Sequence, residues 1–437
     1  METKILDKLA NGGALCVVGL GYVGLPLAIA FAKKVKTIGF DINEDKIMAY
    51  QKGIDLTHEV GDQAVMDSQI LFTSDPKQIK EADFVIVAVP TPVYRDNNPD
   101  LRPLAGASQV VGQNLKKGAI VCFESTVYPG ITENYCGPII AKASGLKART
   151  DFKLAYSPER INPGDQVHRL TNINKIVSGQ DAVTCQAVKS VYDLVIEETV
   201  PVSSIKAAEA IKVTENTQRD VNIAFMNECA EIFDKMGIDT GEVLKGMRTK
   251  WNALDFKPGL VGGHCIGVDP YYLINEAEKV NADAMLLKIS RKINNQAALF
   301  VRDKTLKLLT LTGLPVKGMR VGILGITFKE NVGDARNSKV IDIINGLKEY
   351  GIEVLVYDPH ADPRDIWQKY GVKLVPRSAV HDLNGLVVAV AHREFLDLDL
   401  DHFFKKDLVP QDRVLVDVKS IYPKERLEKL GYSYWQL

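Results

Sequence analysis

Two stretches of the sequence alternate short apolar runs with longer amphipathic runs, and this alternation restricts the fold more than any other feature. From Ala14 to about residue 200, the apolar runs are ALCVVGL, KTIGFDI, FVIVAVPTP, AIVCFES and KLAYSP. A second alternating stretch begins at Met319 and contains MRVGILGITF, IEVLVYDP, GLVVAVAH and RVLVDVK. Strands that are apolar throughout must be covered on both faces, and the amphipathic runs supply helices that cover them. The pattern therefore predicts an α/β fold with two parallel sheets.

The segment between the two stretches has a different character. From Ser203 to Met236 it contains no proline or glycine, and its apolar residues recur at helical spacing. We expect one long helix with Ser203 or Ser204 as its N-cap, followed by a second helix from INEAEKV onward. The chain is thus expected to divide into residues 1–202, 203–300 and 301–437, with two nucleotide-binding lobes flanking a helical middle.

Composition excludes several classes of function. The 437 residues carry 54 basic and 55 acidic side chains, a balance that gives no reason to expect nucleic acid or an anionic membrane as a partner. No run approaches the roughly 18 uncharged apolar residues that a membrane span needs, and the N-terminus lacks the apolar core of a signal peptide. The six cysteines lie far apart without a CxxC pair. We therefore expect a cytoplasmic protein with neither a disulfide framework nor a bound metal.

The first alternating stretch contains a candidate dinucleotide site. Gly19, Gly21 and Gly24 have GxGxxG spacing between a predicted strand and a predicted helix. In such a loop the first glycine allows a tight turn, the second lets a pyrophosphate approach the backbone, and the third lets the helix pack closely. Asp41 ends the next strand, where an acid binds the ribose hydroxyls and favours NAD, while Lys46 nearby weakens the exclusion of NADP. A purely structural glycine turn is the alternative.

The segment FKPGLVGGHCIGVDPYYL is the most unusual part of the chain. Five conformationally special residues surround Cys265, and Asp269 lies just beyond it. A core cysteine does not need such neighbours, so the pattern favours a thiol placed in a cleft that a ligand can enter. His264 raises the alternative of a metal or a Cys–His pair, but adjacent side chains usually point apart.

Polar residues elsewhere are placed to meet a ligand. Lys212 and Asn216 are four residues apart on the long helix and share a face, as do Glu215 and Arg219 on a neighbouring face. The alternative is a solvated lysine and a surface ion pair. The segments Glu124–Thr126 and Ser157–Arg160 follow predicted strands, and the carboxyl ends of strands line the ligand crevice of a doubly wound sheet.

With these motifs assembled, the chain resembles the UDP-glucose/GDP-mannose dehydrogenase family over nearly its whole length. The matching pieces, in order, are GLGYVGLP, FDIN, VPTP, ESTVYPG, SPERINPG, the Lys212–Asn216 helix, GGHCIGVDP and GITFKENVGDARNS. Within the family, SPERINPGD, ENTQRD and KPGLVGGHCIGVDPYYL look like the UDP-N-acetylglucosamine/N-acetylgalactosamine 6-dehydrogenases of O-antigen and capsule pathways. His264 and Val268 depart from the GGSCFxKD loop usual in UDP-glucose enzymes.

The resemblance implies two Rossmann-like parallel-sheet domains joined by a long central helix, a homodimer formed about that helix, NAD as cofactor and a UDP-sugar as substrate. It also implies three sets of site residues. The cofactor set is Gly19, Gly21, Tyr22, Val23, Gly24, Asp41, Lys46, Thr91, Thr126 and Arg336. The substrate set is Glu159, Arg160, Lys212, Asn216, Arg219, Phe256, Lys257, Gly259, Gly262, Phe328, Lys329 and Lys419. The catalytic set is Cys265, Lys212, Asn216, Asp269, Glu159 and Thr126.

The implied reaction oxidises the C6 hydroxyl of the sugar to a carboxylate in two hydride transfers. Lys212 would stabilise the developing alkoxide, with Asn216 and Asp269 holding a water that accepts the proton. Cys265 would add to the aldehyde and carry the resulting thioester, which water hydrolyses with help from Glu159 or Asp269. UDP-glucose and UDP-N-acetylmannosamine are alternative substrates. A two-electron dehydrogenase and a non-catalytic nucleotide-sugar sensor are alternative functions.

Overall fold

The computed structural model describes residues 2–94, 97–160 and 170–437. The chain forms two compact units. One unit comprises Met1–Glu215 and Tyr271–Ala282, and the other comprises Asn216–Pro270 and Asp283–Leu437. No helix in the described ranges is long and apolar enough to cross a membrane.

The first unit is built on an eight-stranded sheet. Its strands are β1 Ala14–Val18, β2 Lys36–Phe40, β3 Leu71–Thr73, β4 Ala82–Val87, β5 Ile120–Phe123, β6 Lys153–Tyr156, β7 Lys175–Gly179 and β8 Thr199–Pro201. Their spatial order is β3-β2-β1-β4-β5-β6-β7-β8. The first six strands are parallel and have the order of dinucleotide-binding folds. β7 runs antiparallel to β6 and parallel to β8, an extension that the apolar runs did not predict.

Helices cover both faces of this sheet, as its apolar central strands require. Every residue of β1, β4 and β5 is buried, and two separate hydrophobic clusters lie against the two faces. The helices of this part of the chain are α1 Glu2–Ala10, α2 Gly24–Ala32, α3 Glu44–Gln51, α4 Asp62–Met66, α5 Arg102–Gln113, α6 Gly137–Ser144 and α7 Ala182–Tyr192.

The predicted long helix is α8, Ile205–Met236, with 32 residues. The side-chain oxygen of Ser204 accepts a hydrogen bond from the N–H of Ala207 at 3.2 Å, so Ser204 is the N-cap. The remaining helices are α9 Thr240–Met247, α10 Asp269–Lys279, α11 Met285–Leu311, α12 Val340–Glu349, α13 Pro363–Tyr370 and α14 Lys424–Lys429. We call residues 256–268, which surround Cys265, the cysteine loop. Two helices, α10 and α11, follow it, and α10 begins earlier than INEAEKV.

The second unit contains a five-stranded parallel sheet. Its strands are β9 Arg320–Leu324, β10 Glu353–Tyr357, β11 Gly385–Val388, β12 Val414–Asp417 and β13 Ser433–Gln436, in the order β10-β9-β11-β12-β13. This sheet confirms the second Rossmann-like lobe. The turn after β9 resembles the turn after β1: Gly325 has φ +90° where Gly19 has φ +92°. Asp358 accepts the N–H of Ile326 as Asp41 accepts that of Leu20.

Candidate active site

The glycine loop after β1 has the geometry that dinucleotide binding requires. A Cβ on Gly19, which has φ +92°, would lie 2.9 Å from the carbonyl oxygen of Ala88, and one on Gly24 would lie 1.8 Å from the carbonyl oxygen of Gly19. Both glycines are therefore needed for the turn itself. A Cβ on Gly21 would meet no atom within 4 Å. The space beside Gly21 is open, as an approaching pyrophosphate requires.

The N-terminus of α2 adds hydrogen-bond donors to this space. Val23 is its N-cap and supplies no side-chain hydrogen bond to the first turn. N–H groups at an uncapped helix N-terminus attract a phosphate, and their dipoles favour its negative charge. Tyr22, also predicted to contact the cofactor, is 41% exposed beside them. The loop thus fits the diphosphate of NAD.

Asp41 directly follows β2 and accepts hydrogen bonds from the backbone around it. Its carboxylate accepts the N–H groups of Leu20 at 2.9 Å and Asn43 at 3.0 Å. Lys46 donates to the same carboxylate at 2.8 Å. Lys46 is therefore not a solvated helix charge, because it neutralises the acid that is predicted to bind the ribose.

Three predicted site residues follow three neighbouring strands. Thr91 comes after β4, Thr126 after β5 and Glu159 after β6, and the carboxyl ends of these parallel strands lie at one edge of the sheet. The carbonyl oxygen of Thr91 accepts the hydroxyl of Tyr272 at 2.9 Å. The structure thus brings the strand-end residues to the edge at which ligands bind in this fold.

Glu159 belongs to a buried ionic cluster that the sequence did not reveal. Lys175, whose side chain is 0% exposed, donates to Glu124 at 2.6 Å and to Glu159 at 3.3 Å. Glu124 also accepts the hydroxyl of Tyr192. We call these residues, Glu124, Glu159, Lys175 and Tyr192, the buried charge cluster. Burial raises the pKa of Glu124 to about 7, although the Lys175 ammonium opposes that rise.

The guanidinium of Arg160 also forms hydrogen bonds with neighbouring groups. It donates to Glu215 at 2.7 Å and to the carbonyl oxygen of Asn174 at 2.7 Å. Glu215 therefore pairs with Arg160 instead of forming the surface pair with Arg219, which is exposed. The part of the SPERINPG motif from residue 161 onward lies outside the described residues.

Lys212 is a buried lysine on α8. It is only 8% exposed, and no hydrogen bond or ion pair to it occurs within the described ranges. A side chain buried to this extent is not a solvated helix lysine. Asn216 follows Lys212 by one helical turn, on the same face.

Two positions of the cysteine loop require glycine because other residues of the second unit pack closely against them. A Cβ on Gly262 would lie 2.8 Å from the carbonyl oxygen of Asn337, and one on Gly263, which has φ +79°, would lie 2.9 Å from the ring of Phe328. The N–H of Gly263 donates to the carbonyl oxygen of Arg336 at 3.0 Å. A Cβ on Gly262 would also lie 3.0 Å from the Cβ of Phe328, so these two predicted substrate residues are neighbours.

Cys265 lies in the turns between Gly263 and α10, and it is partly exposed. Its carbonyl oxygen accepts the N–H of Val268 at 3.0 Å and that of Asp269 at 2.8 Å. Asp269 is the first residue of α10 and accepts the side-chain amide of Asn216 at 2.5 Å. The structure therefore joins the cysteine loop to the Lys212–Asn216 face of α8 through one carboxylate.

The ring of His264 lies beside Arg336 and Asp334. Its Nδ1 lies 3.1 Å from the guanidinium of Arg336 and 3.8 Å from Asp334. Because a guanidinium only donates, Nδ1 accepts this bond. Arg336 also binds Asp334 with two nitrogens, and these bonds hold the pKa of Asp334 below its ordinary value although burial acts to raise it.

The remaining predicted substrate residues lie in loops of the second unit. Asn227 of α8 forms two hydrogen bonds with the backbone of Gly259. Its side-chain amide accepts the Gly259 N–H at 2.7 Å and donates to the Gly259 carbonyl oxygen at 3.0 Å. Asn227 has no signal in the sequence that sets it apart from other helix residues. Phe256 is partly buried and Lys257 exposed, while Lys329 follows β9 and Lys419 follows β12, at the carboxyl ends of those strands.

One side-chain group in the described ranges, His360, His392 and Glu394, is close enough to share a metal ion. His392, however, has both ring nitrogens engaged. Its Nδ1 accepts the N–H of Asn331 at 2.9 Å, and its Nε2 lies 3.1 Å from both Asp358 and Thr327. A ring whose Nδ1 accepts carries its proton on Nε2, so His392 has no lone pair left for a metal.

Comparison with known proteins decides the family. The NAD binding domain of the UDP-glucose/GDP-mannose dehydrogenase family matches residues 14–196, its central domain matches 206–296, and its UDP binding domain matches 322–424. The chain belongs to this family. It is an NAD-dependent oxidoreductase with a domain for a UDP-sugar, and the predicted cofactor is confirmed.

Individual relatives match almost end to end. Protein CapL of Staphylococcus aureus is 47% identical over 97% of this chain and 99% of its own length. A UDP-N-acetyl-D-glucosamine 6-dehydrogenase of Pseudomonas aeruginosa is 45% identical over 94% of this chain and 98% of its own. The structure of a UDP-D-ManNAc dehydrogenase from Pyrococcus horikoshii is similar with a TM-score of 0.87 at 26% identity, covering 97% of this chain and 98% of that one.

Proposed function

We propose that this dehydrogenase oxidises the C6 hydroxyl of a UDP-N-acetylhexosamine, UDP-GlcNAc or UDP-GalNAc, to the carboxylate for surface polysaccharide synthesis. The observation that carries the proposal is the Asn216–Asp269 hydrogen bond, which connects the cysteine loop to the helix face that bears Lys212. Two relatives named UDP-N-acetyl-D-glucosamine 6-dehydrogenase, 45% and 43% identical, support the choice of sugar.

In this proposal the three segments have separate tasks: residues 1–202 bind NAD, residues 203–300 supply the catalytic loop, and residues 301–437 bind the UDP-sugar. Bound NAD⁺ supplies the hydride acceptor for each of two successive oxidations. Assembly as a homodimer about α8 is part of the proposal, and the exposed apolar side chains of Phe225, Ile232 and Met236 on that helix support it.

The residues of the chain act on C6 in a defined order. The C6 hydroxyl loses its proton to a water held by Asn216 and Asp269 while Lys212 stabilises the developing negative charge. Loss of the first hydride from C6 gives the aldehyde. The Cys265 thiolate adds to the aldehyde carbon, and the second hydride leaves from the resulting thiohemiacetal to give a thioester. Water adds to the thioester with Glu159 or Asp269 as base, the C–S bond breaks, and the carboxylate and the free thiol are released.

The number of NADH molecules formed per UDP-sugar consumed tests the reaction type. Two are expected. One would indicate a two-electron dehydrogenase, and none on any nucleotide sugar would indicate a sensor.

The role of the thiol is tested by Cys265→Ser, with Cys229→Ser as the matched control because Cys229 is also partly exposed. Cys265→Ser should stop complete turnover while the affinity for NAD is kept, whereas Cys229→Ser should oxidise the sugar at the normal rate. Full turnover by Cys265→Ser would remove the nucleophile from the mechanism. Comparison of kcat/KM for UDP-GlcNAc, UDP-GalNAc, UDP-ManNAc and UDP-glucose tests the sugar.

A further inference from the structure

Lys175 is a buried cation placed between two carboxylates. It is the first residue of β7, its side chain is 0% exposed, and it contacts Glu124 and Glu159 from neighbouring strand ends. Its ammonium also lies 5.6 Å from the ring centroid of Tyr192. Burying an ammonium costs free energy unless opposite charges lie beside it, and here two carboxylates contact it.

The two carboxylates differ in their surroundings. One oxygen of Glu159 accepts the N–H of Arg160 at 2.6 Å, and the other accepts the Lys175 ammonium at 3.3 Å. Glu124 is fully enclosed, and burial raises its pKa to about 7. Tyr192 donates to Glu124, and the thiol of Cys122 lies 3.7 Å from the Tyr192 hydroxyl. The two carboxylates therefore contact the same ammonium from different surroundings.

We propose that Lys175 is a positioning residue for Glu159, holding its carboxylate in the orientation of a base, with Glu124 as a competitor for the same ammonium. The inference rests on the proposed function, because it assigns Glu159 to the hydrolysis of the Cys265 thioester. Lys175 itself touches neither substrate nor cofactor in this role.

The first test is Lys175→Met, which keeps the length of the side chain and removes its charge. Without the ammonium the Glu159 carboxylate loses a charged hydrogen-bond donor that orients it, so hydrolysis should slow by about 10²-fold or more at pH 7, the usual contribution of a general base. Two equivalents of NADH per active site should still form in a rapid burst. The thioester on Cys265 should then accumulate and be detectable by mass spectrometry after acid quenching.

The pH profile distinguishes positioning from a general structural effect. Loss of the cation should move the acidic limb of kcat to higher pH, so that the activity of Lys175→Met recovers in part as pH rises. Lys175→Arg should restore much of the rate, since it restores the charge. Glu124→Gln should move the acidic limb of kcat to lower pH, because Glu159 is then the only carboxylate of the buried charge cluster that contacts the ammonium. A structural role would predict unshifted limbs in all three variants.

The outcomes separate the two proposals. If the wild-type enzyme forms two NADH per sugar through a Cys265 adduct, but Lys175→Met hydrolyses it at the normal rate with an unshifted limb, the inference on Lys175 is wrong and the proposed function stands. If the wild-type enzyme forms no Cys265 adduct, the proposed function fails first. Should Lys175→Met not fold, Glu124→Gln decides: a downward shift of the limb supports the inference, and an unshifted limb overturns it.

Discussion

The side-chain amide of Asn216 donates a 2.5 Å hydrogen bond to the carboxylate of Asp269. Asp269 is 2% exposed, and its own N–H binds the carbonyl oxygen of Cys265. The bond therefore connects α8 to the turn that carries the thiol. It is the contact through which the helix face bearing Lys212 and Asn216 reaches the cysteine loop.

We predict that Lys212→Met lowers kcat by about 10²-fold or more, since it removes a donor to the developing negative charge. The free energy of unfolding should stay the same or rise, because a buried ammonium without a partner in the described ranges is costly. Steady-state kinetics and chemical denaturation measure the two effects. Lys206→Met, at an exposed position of the same helix, is the control and should change neither. A near-normal kcat in Lys212→Met would contradict the catalytic role.

Gly263→Ala should weaken both stability and substrate binding. The new Cβ would lie 2.9 Å from the Phe328 ring in a backbone with φ +79°, and we expect a loss of about 1–3 kcal/mol in unfolding free energy. KM for the UDP-sugar should rise, because Phe328 is a predicted substrate contact. Gly267→Ala is the matched control, since its Cβ would have no neighbour closer than 3.6 Å. Equal effects of the two changes would contradict the packing argument.

Gly21→Val should weaken NAD binding without weakening the fold. The added side chain would enter open space beside the N-terminus of α2, so Tm should be unchanged while Kd for NAD rises at least about tenfold, or about 1.4 kcal/mol. Fluorescence titration and thermal unfolding measure the two quantities. Gly106→Val, at another position with open space around it, should leave Kd as it is. A lowered Tm with normal Kd would show that Gly21 serves the turn and not the cofactor.

We predict that Glu209 makes the free energy of unfolding depend on pH near neutrality. It accepts the N–H groups of Gly130 and Thr132, and burial raises its pKa from 4.5 to about 7 despite these bonds. An acid whose folded-state pKa is raised contributes most stability below its unfolded pKa, and this contribution is lost as pH rises through the folded value.

Relative to Glu209→Gln, the wild-type protein should therefore lose up to about 3 kcal/mol of unfolding free energy between pH 4.5 and 8. Denaturation at several pH values measures this difference. The exposed Glu231→Gln on the same helix should give a nearly constant difference. A constant difference for Glu209→Gln would mean that the carboxylate ionises in its ordinary range.

The sequence predicted the parts of the fold that depend on periodicity. Buried parallel strands such as β1 and β4 are apolar throughout, and α8 shows uninterrupted helical spacing, so both were recognisable from the residues. β7 was missed because it begins with a lysine, a residue type that seldom lies in a buried strand. Its antiparallel direction had no local signal either.

In the candidate site, the glycine loop, the cysteine loop and the Lys212–Asn216 spacing were recognisable from the sequence alone. Backbone conformation and the face of a helix depend on residues that are close together in the chain. Only the tertiary structure decided which charges are buried and with what. Lys175 meets Glu124 and Glu159 across 51 and 16 residues of sequence, and Arg160 meets Glu215 across 55. Burial and pairing depend on the groups that the fold brings around a side chain, and no local pattern records them.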